Sequence, residues 1–219
     1  MKKRFLIGIA LLLLLSTYNS SSNLNFNSKF NIEEIIIENN SIFKNEEIKK
    51  DLFFLYKTNI FSVKSKNISK QLNNDSFIES FEIKKIYPNK LRIKVFEKKP
   101  IAILQNKKKK FFYTNKGEII SFINLERFKD LPLVFGSKEN FKILLNELKK
   151  INFPINQIKA FYFFDSNRWD LITNKNQTIK LPIHNYNKIL KDFMNIYKKD
   201  NFNKFTIFDY RIKNQLILK

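Results

Sequence analysis

From Leu91 to Val95 apolar and cationic side chains alternate one for one: Leu91, Arg92, Ile93, Lys94, Val95. A period of two puts the apolar residues on one face of a strand and the cations on the other. The stretch therefore demands a sheet with one face in water and the other covered. Its neighbours say by what. Phe77 to Ile86 is a second strand-forming run, joined to the first by Tyr87-Pro88-Asn89-Lys90. Proline pre-sets the second position of such a turn and asparagine tolerates the third. Upstream, the Ile-rich segment Phe30 to Glu38 predicts a further strand. Asn45 before Glu46 and Glu47 reads as an N-cap followed by acids in the first turn, where the helix dipole favours them. Ile48, Leu52, Leu55 and Tyr56 follow at helical spacing, and a second helix is expected from Ser65 with Ile68 and Leu72 on one face. Strand, helix, helix, strand, strand is a compact α+β unit whose helices cover one face of a small sheet.

Beyond Pro100 the pattern becomes strand-rich. Ile101 to Leu104 and Phe111 to Tyr113 predict strands, and Thr114-Asn115-Lys116-Gly117 a turn into Glu118 to Ile123. Ser137 can cap a helix carrying Phe141, Leu144, Leu145, Leu148 and Ile151. Ala160 to Phe164, Trp169 to Thr173 and Thr178 to Leu181 predict three more strands, the last two joined by a turn at Asn174 to Asn176. A second helix presents Ile189, Leu190, Phe193 and Ile196. The chain then runs through Phe205 to Ile212, a turn near Lys213-Asn214, and Gln215 to Lys219. This second unit is a sheet with two helices packed on it.

The amino end sets the compartment. Lys2, Lys3 and Arg4 precede an unbroken apolar run from Phe5 to Leu15. Positive charge before an apolar segment holds the amino end in the cytoplasm and sends the downstream chain across the membrane. As a helix the run spans about 16 Å, short of the ~30 Å hydrocarbon core. It reads as a signal-peptide h-region or as an anchor that extends through Ser16 to Tyr18 and thins the bilayer locally. Residues 19–29 form a polar spacer.

Composition mainly excludes. No cysteine is present, so there is no disulfide framework and no thiolate metal site or nucleophile. Gly8, Gly117 and Gly136 are the only glycines, which rules out a Gly-rich phosphate loop. The net charge is +21, yet apart from Lys107 to Lys110 the basic residues are scattered rather than gathered on one element among stacking aromatics, so no nucleic-acid surface is expected. Lys107 to Lys110 reads most simply as a solvated hairpin tip, the alternative being contact with anionic lipid or wall polymer, which would weaken steeply with salt. Trp169 is expected in the core. His184, the single histidine, has no partner constellation, and Asp165, Asp170 and Asp209 lie on strands that need not converge. No catalytic set, metal site or cofactor is expected, and no small-molecule substrate.

Three stretches together resemble the FtsQ/DivIB family of division proteins. Asn59-Ile60-Phe61-Ser62-Val63 and the run Tyr87-Pro88-Asn89-Lys90-Leu91 to Pro100-Ile101-Ala102 resemble the POTRA domain of that family. Lys116-Gly117-Glu118 followed by Leu131-Pro132-Leu133-Val134-Phe135-Gly136 resembles the start of its β domain. Arg168-Trp169-Asp170-Leu171, Gln177 to Pro182 and Asp209-Tyr210-Arg211 resemble its later strands, in order. The resemblance implies an N-terminal membrane segment (1–18), a linker (19–29), a β-α-α-β-β POTRA domain (30–100) and a strand-rich β domain with two packed helices (101–219).

It also implies a function. Such proteins sit in the bacterial inner membrane at the division septum, single-pass, with the amino end cytoplasmic and the bulk periplasmic. They link early and late division proteins and bind an FtsB/FtsL-like pair. The family's partner surface is the last hairpin, to which a partner strand is added; this is a mode that sheet edges support. The partner-binding residues implied here are Arg211, Ile212, Asn214, Leu216 and Leu218; Arg211 reads equally as a surface residue paired with Asp209, and the edge strand as the domain's own terminal strand blunted by Lys213 and Lys219. Ile212 stands where the family commonly has an aromatic, and an aromatic found beyond this strand in some members is absent, which shifts weight to backbone pairing and to Leu216 and Leu218. The competing reading is a POTRA-bearing component of outer-membrane protein assembly or secretion, which calls for barrel strands or a lipidated cysteine. A secreted hydrolase lacks any recognisable nucleophile.

Overall fold

The computed structural model describes residues 2–16, 29–73, 76–197 and 204–219. Two compact units emerge: residues up to Leu72 with Phe81–Val95, and Asn73–Ser80 with Phe96–Lys219. Helix α1 spans Lys2–Ser16, and every side chain from Phe5 to Leu13 on it is exposed. Among the described residues no helix is long and apolar enough to cross a membrane. The spacer expected over 19–29 lies outside the described residues, save for Lys29.

The alternation at Leu91 does what its period requires. Strands β1 (Glu34–Glu38), β2 (Ile78–Ile86) and β3 (Lys90–Glu97) form a sheet in the order β1-β3-β2. β1 runs parallel to β3, setting Ile35 beside Leu91 and Ile37 beside Ile93. Leu91, Ile93 and Val95 are fully buried. On the other side of the pleat Arg92 pairs with Glu38 at 3.1 Å and Lys90 with Glu34 at 2.7 Å. Helices α2 (Asn45–Asp51) and α3 (Ser65–Leu72) bury Ile48, Ile68 and Leu72, and α2 touches both β1 and α3. Asn45 is not the cap of α2 but its first residue; Lys44 occupies the cap. Its backbone N–H donates to the Glu47 carboxylate at 3.1 Å, so the acid three places on satisfies the helix end by reaching back.

The second unit holds a nine-stranded sheet. Its strands are β4 (Pro100–Asn106), β5 (Lys109–Thr114), β6 (Ile119–Ser121), β7 (Leu133–Phe135), β8 (Ile158–Phe164), β9 (Arg168–Thr173), β10 (Thr178–Lys180), β11 (Ile207–Asp209) and β12 (Ile217–Leu218). Their order is β12-β11-β10-β9-β8-β7-β4-β5-β6. Helices α4 (Lys138–Lys150) and α5 (Tyr186–Tyr197) supply Phe141, Leu144, Leu190 and Phe193 to a core that also takes Val134, Phe161, Trp169 and Phe208. Ser137 caps α4, its Oγ accepting the Asn140 N–H at 3.1 Å.

β7 was not expected as a strand, yet it is central, parallel to β4 on one side and to β8 on the other. Gly136 follows it because no side chain fits there. A Cβ at that point would lie 2.9 Å from Phe163 Cβ and 3.2 Å from Trp169 Cη2.

Candidate partner-docking edge

The carboxyl-terminal hairpin closes one side of the sheet. β11 lies parallel to β10, while β12 returns antiparallel on β11 with Phe208 opposite Leu218 and Asp209 opposite Ile217. Among the described residues no strand lies beyond β12. Ile207 and Lys219 exchange both backbone bonds, Lys219 N–H to the Ile207 carbonyl at 3.1 Å and Ile207 N–H to the Lys219 carbonyl at 3.0 Å. Opposed pairs alternate along an antiparallel ladder. Leu218, one step along, therefore turns its own N–H and C=O away from β11, toward the open side.

The structure brings the five expected residues onto this hairpin and gives them different duties. Leu216 and Leu218 are half-buried and lean on the helix-covered core. Ile212 is 51% exposed. Asn214 sits at φ 58° in a turn closed by the Gln215 N–H on the Ile212 carbonyl at 3.2 Å. Asparagine tolerates that left-handed backbone better than other side-chain-bearing residues.

Arg211 is forked onto Asp209: its Nε donates to Oδ1 at 2.8 Å and to Oδ2 at 3.0 Å, and one Nη donates to Oδ2 at 2.6 Å. The Arg211 backbone N–H donates to the same carboxylate at 3.1 Å. These hydrogen bonds hold the Asp209 carboxyl below the usual range, and the same pairing raises the Arg211 guanidinium.

Asp209 also belongs to a row that strand-by-strand reading missed. Asp170, Lys180 and Asp209 are register partners on β9, β10 and β11. Arg168 flanks the row beyond Asp170, with Nε 3.4 Å from Oδ1. Burial pushes the Asp170 carboxyl up, against the pull of Arg168, Lys180 and Arg211. The row lies on the face opposite Trp169, Ile179 and Phe208, which line the core. Only the register shows it, because its members are far apart in sequence. Asp165 stays apart, exposed in the β8–β9 turn, and His184 is exposed in the bend before α5. Among the described residues no group of three His, Cys, Asp or Glu could hold a metal ion.

Comparison with known proteins finds matches over most of the chain. The family model "POTRA domain, FtsQ-type" matches residues 30–98, and "Cell division protein FtsQ/DivIB, C-terminal" matches residues 102–211. The chain is 31% identical to cell division protein FtsQ of Rickettsia bellii over 87% of its own length and 72% of that protein. It is 30% identical to FtsQ of Rickettsia conorii over 97% and 79%. A more distant likeness is to the major extracytoplasmic domain of the division protein DivIB of Geobacillus stearothermophilus. That match has TM-score 0.33 and 11% identity, and covers 46% of this chain and 92% of that one. Two consecutive family matches in the expected order, with relatives spanning most of the chain, place this protein in the FtsQ/DivIB family of bacterial cell division proteins.

Proposed function

We propose that this chain is a membrane-attached, non-enzymatic division scaffold that docks an FtsB/FtsL-like pair by accepting a partner strand along β12. The observation that carries the reading is the parity of the terminal ladder. β12 is the last strand of its sheet among the described residues, and the backbone groups of Leu218 face outward, so a strand laid alongside finds an unpaired donor and acceptor. Attachment is supported by α1, whose apolar side chains are exposed from Phe5 to Leu13. Lys2, Lys3 and Arg4 precede them, the arrangement that keeps an amino end cytoplasmic. At about 22 Å, α1 is shorter than the ~30 Å hydrocarbon core, so an anchor built on it draws on snorkelling cations and local thinning.

The test uses proline as a missing donor. Leu218→Pro deletes an N–H that faces the partner, not β11, and Leu218→Ala, which removes the same core-packing side chain but keeps that N–H, is its control. Affinity for the carboxyl-terminal helix–strand peptide of an FtsB-like protein should fall roughly tenfold or more. Hydrogen-exchange protection of the Ile207 and Lys219 amides should persist. Unchanged affinity, with the hairpin protected, rules out docking along β12.

A further inference from the structure

On the first unit two stacked rings, Phe61 and Tyr87, stand in water beside the half-buried Phe30. Phe61 stacks on Tyr87 with centroids 5.2 Å apart and planes 25° apart, and Phe30 meets Phe61 at 5.2 Å, tilted by 57°. Phe61 is 59% exposed and Tyr87 56% exposed. The backbone beneath them is fixed. Ile60 N–H donates to the Phe30 carbonyl at 2.8 Å, the Asn59 side chain accepts the Phe61 N–H at 2.9 Å, and Ser62 Oγ donates to the Asn59 carbonyl at 2.7 Å. A rigid aromatic shelf held open to water marks a surface that something covers.

Two observations on the chain identify the cover. Phe30, itself one of the rings, lies fourteen residues after Ser16, the end of α1. The contour of that stretch is at most about 50 Å. Wherever α1 lodges, the shelf is therefore the tethered end of its unit. Lysines border the rings along the chain: Lys29 precedes Phe30 and Lys64 lies three places after Phe61, both exposed, and Lys85 reaches the Phe61 carbonyl at 3.4 Å. The nearby acid, Glu33, accepts a hydrogen bond from Asn89 at 2.5 Å. Apolar rings beside one with a polar tip, the Tyr87 hydroxyl, and bordered by lysines, match the chemistry at the headgroup–acyl boundary of an anionic bilayer.

We propose that Phe30, Phe61 and Tyr87 seat this unit against an anionic phospholipid surface. The inference rests on the reading that α1 attaches the chain to a membrane, and the experiment separates the two. The full chain carrying Phe61→Trp is reconstituted with phosphatidylglycerol–phosphatidylethanolamine vesicles whose acyl chains are brominated. Ile143→Trp, at a position 60% exposed on α4, serves as reference; Trp169 is buried in both and gives a constant background. Bromine should quench the indole introduced by Phe61→Trp at least about twofold more than the reference. Lys29→Glu, Lys64→Glu and Lys85→Glu together should reduce that quenching. Equal quenching in a protein that still floats with the vesicles overturns the shelf alone. Loss of flotation overturns attachment and the shelf with it. A blue-shifted emission without bromine quenching shows the ring covered by protein, in this sample another copy of the chain, and also overturns the proposal.

Discussion

Asp209 commits both carboxylate oxygens to the residue two places ahead, gripping the side chain and the backbone N–H of Arg211 together. The aspartate side chain is 12% exposed and the arginine 42%, so the acid depends on the pair more than the base does. Arg211→Ala leaves a nearly buried carboxylate without its cation and should destabilise the hairpin by about 1–3 kcal/mol, read from urea unfolding and exchange of the Lys219 amide. Arg211→Lys keeps the charge but not the fork and should recover only part of this. Acid tests the assignment. Asp209 titrates lower when folded, so its contribution is complete above the ordinary value of about 3.9 and drains away as pH falls through the depressed one. Asp170 works in the opposite sense: burial raises its value, so protonation relieves a cost. The Arg211→Ala penalty should thus stay constant from neutral pH to about 5 and shrink below about 4. Arg211 drew notice in the sequence through a family resemblance and its nearness to Asp209. The row through Lys180 could not be read there, because it exists only once β9, β10 and β11 have settled their register.

Elements with a strong period or a turn signal beside them are legible in the sequence, short strands such as β10 included; β7 is not. The alternation at Leu91, the apolar stripe from Phe141 to Leu148 and the Ser137 cap each carry a local physical reason, and each has its place in the structure. β7 escaped because three residues between Pro132 and Gly136 show no period; their strand character comes from two parallel neighbours that lie far off in sequence. The true cap of α2 escaped for a similar reason, since Asn45 is a favourable cap residue but Glu47 reaches back to Lys44 instead. Gly136 was legible only as part of a motif, and the structure supplies its cause in the rings of Phe163 and Trp169. Gly136→Ala should therefore cost about 1–3 kcal/mol through overpacking, measured by thermal unfolding. A variant as stable as the parent would show that Trp169 has room to move.

At the scale of the molecule, the chain passes between its two compact units three times: after Leu72, after Ser80 and after Val95. A cut at Pro100 looks natural in sequence and falls between the two family matches, but compactness draws the seam elsewhere. Phe77 is fully buried, meets Phe112 edge-on at 5.7 Å, and accepts the Lys98 N–H on its carbonyl at 2.8 Å. A fragment of residues 101–219 loses that ring and uncovers Phe112, at a cost of about 1.5–3 kcal/mol for the side chain alone. Its melting should be lower than that of the second unit in the whole chain, and it should bind an apolar dye; equal melting would show that residues 73–80 are dispensable.

The two sides of β12 are unlike: Leu216 and Leu218 turn toward oil, whereas Ile217 shares its side with Asp209 and its bound guanidinium. A guest ribbon continuing the pleat would have its odd and even positions judged by different chemistry, grease on one count and salt on the next. Slipping by a single residue would misplace both sets at once, so docking of the kind proposed would be strict about register on a border this short.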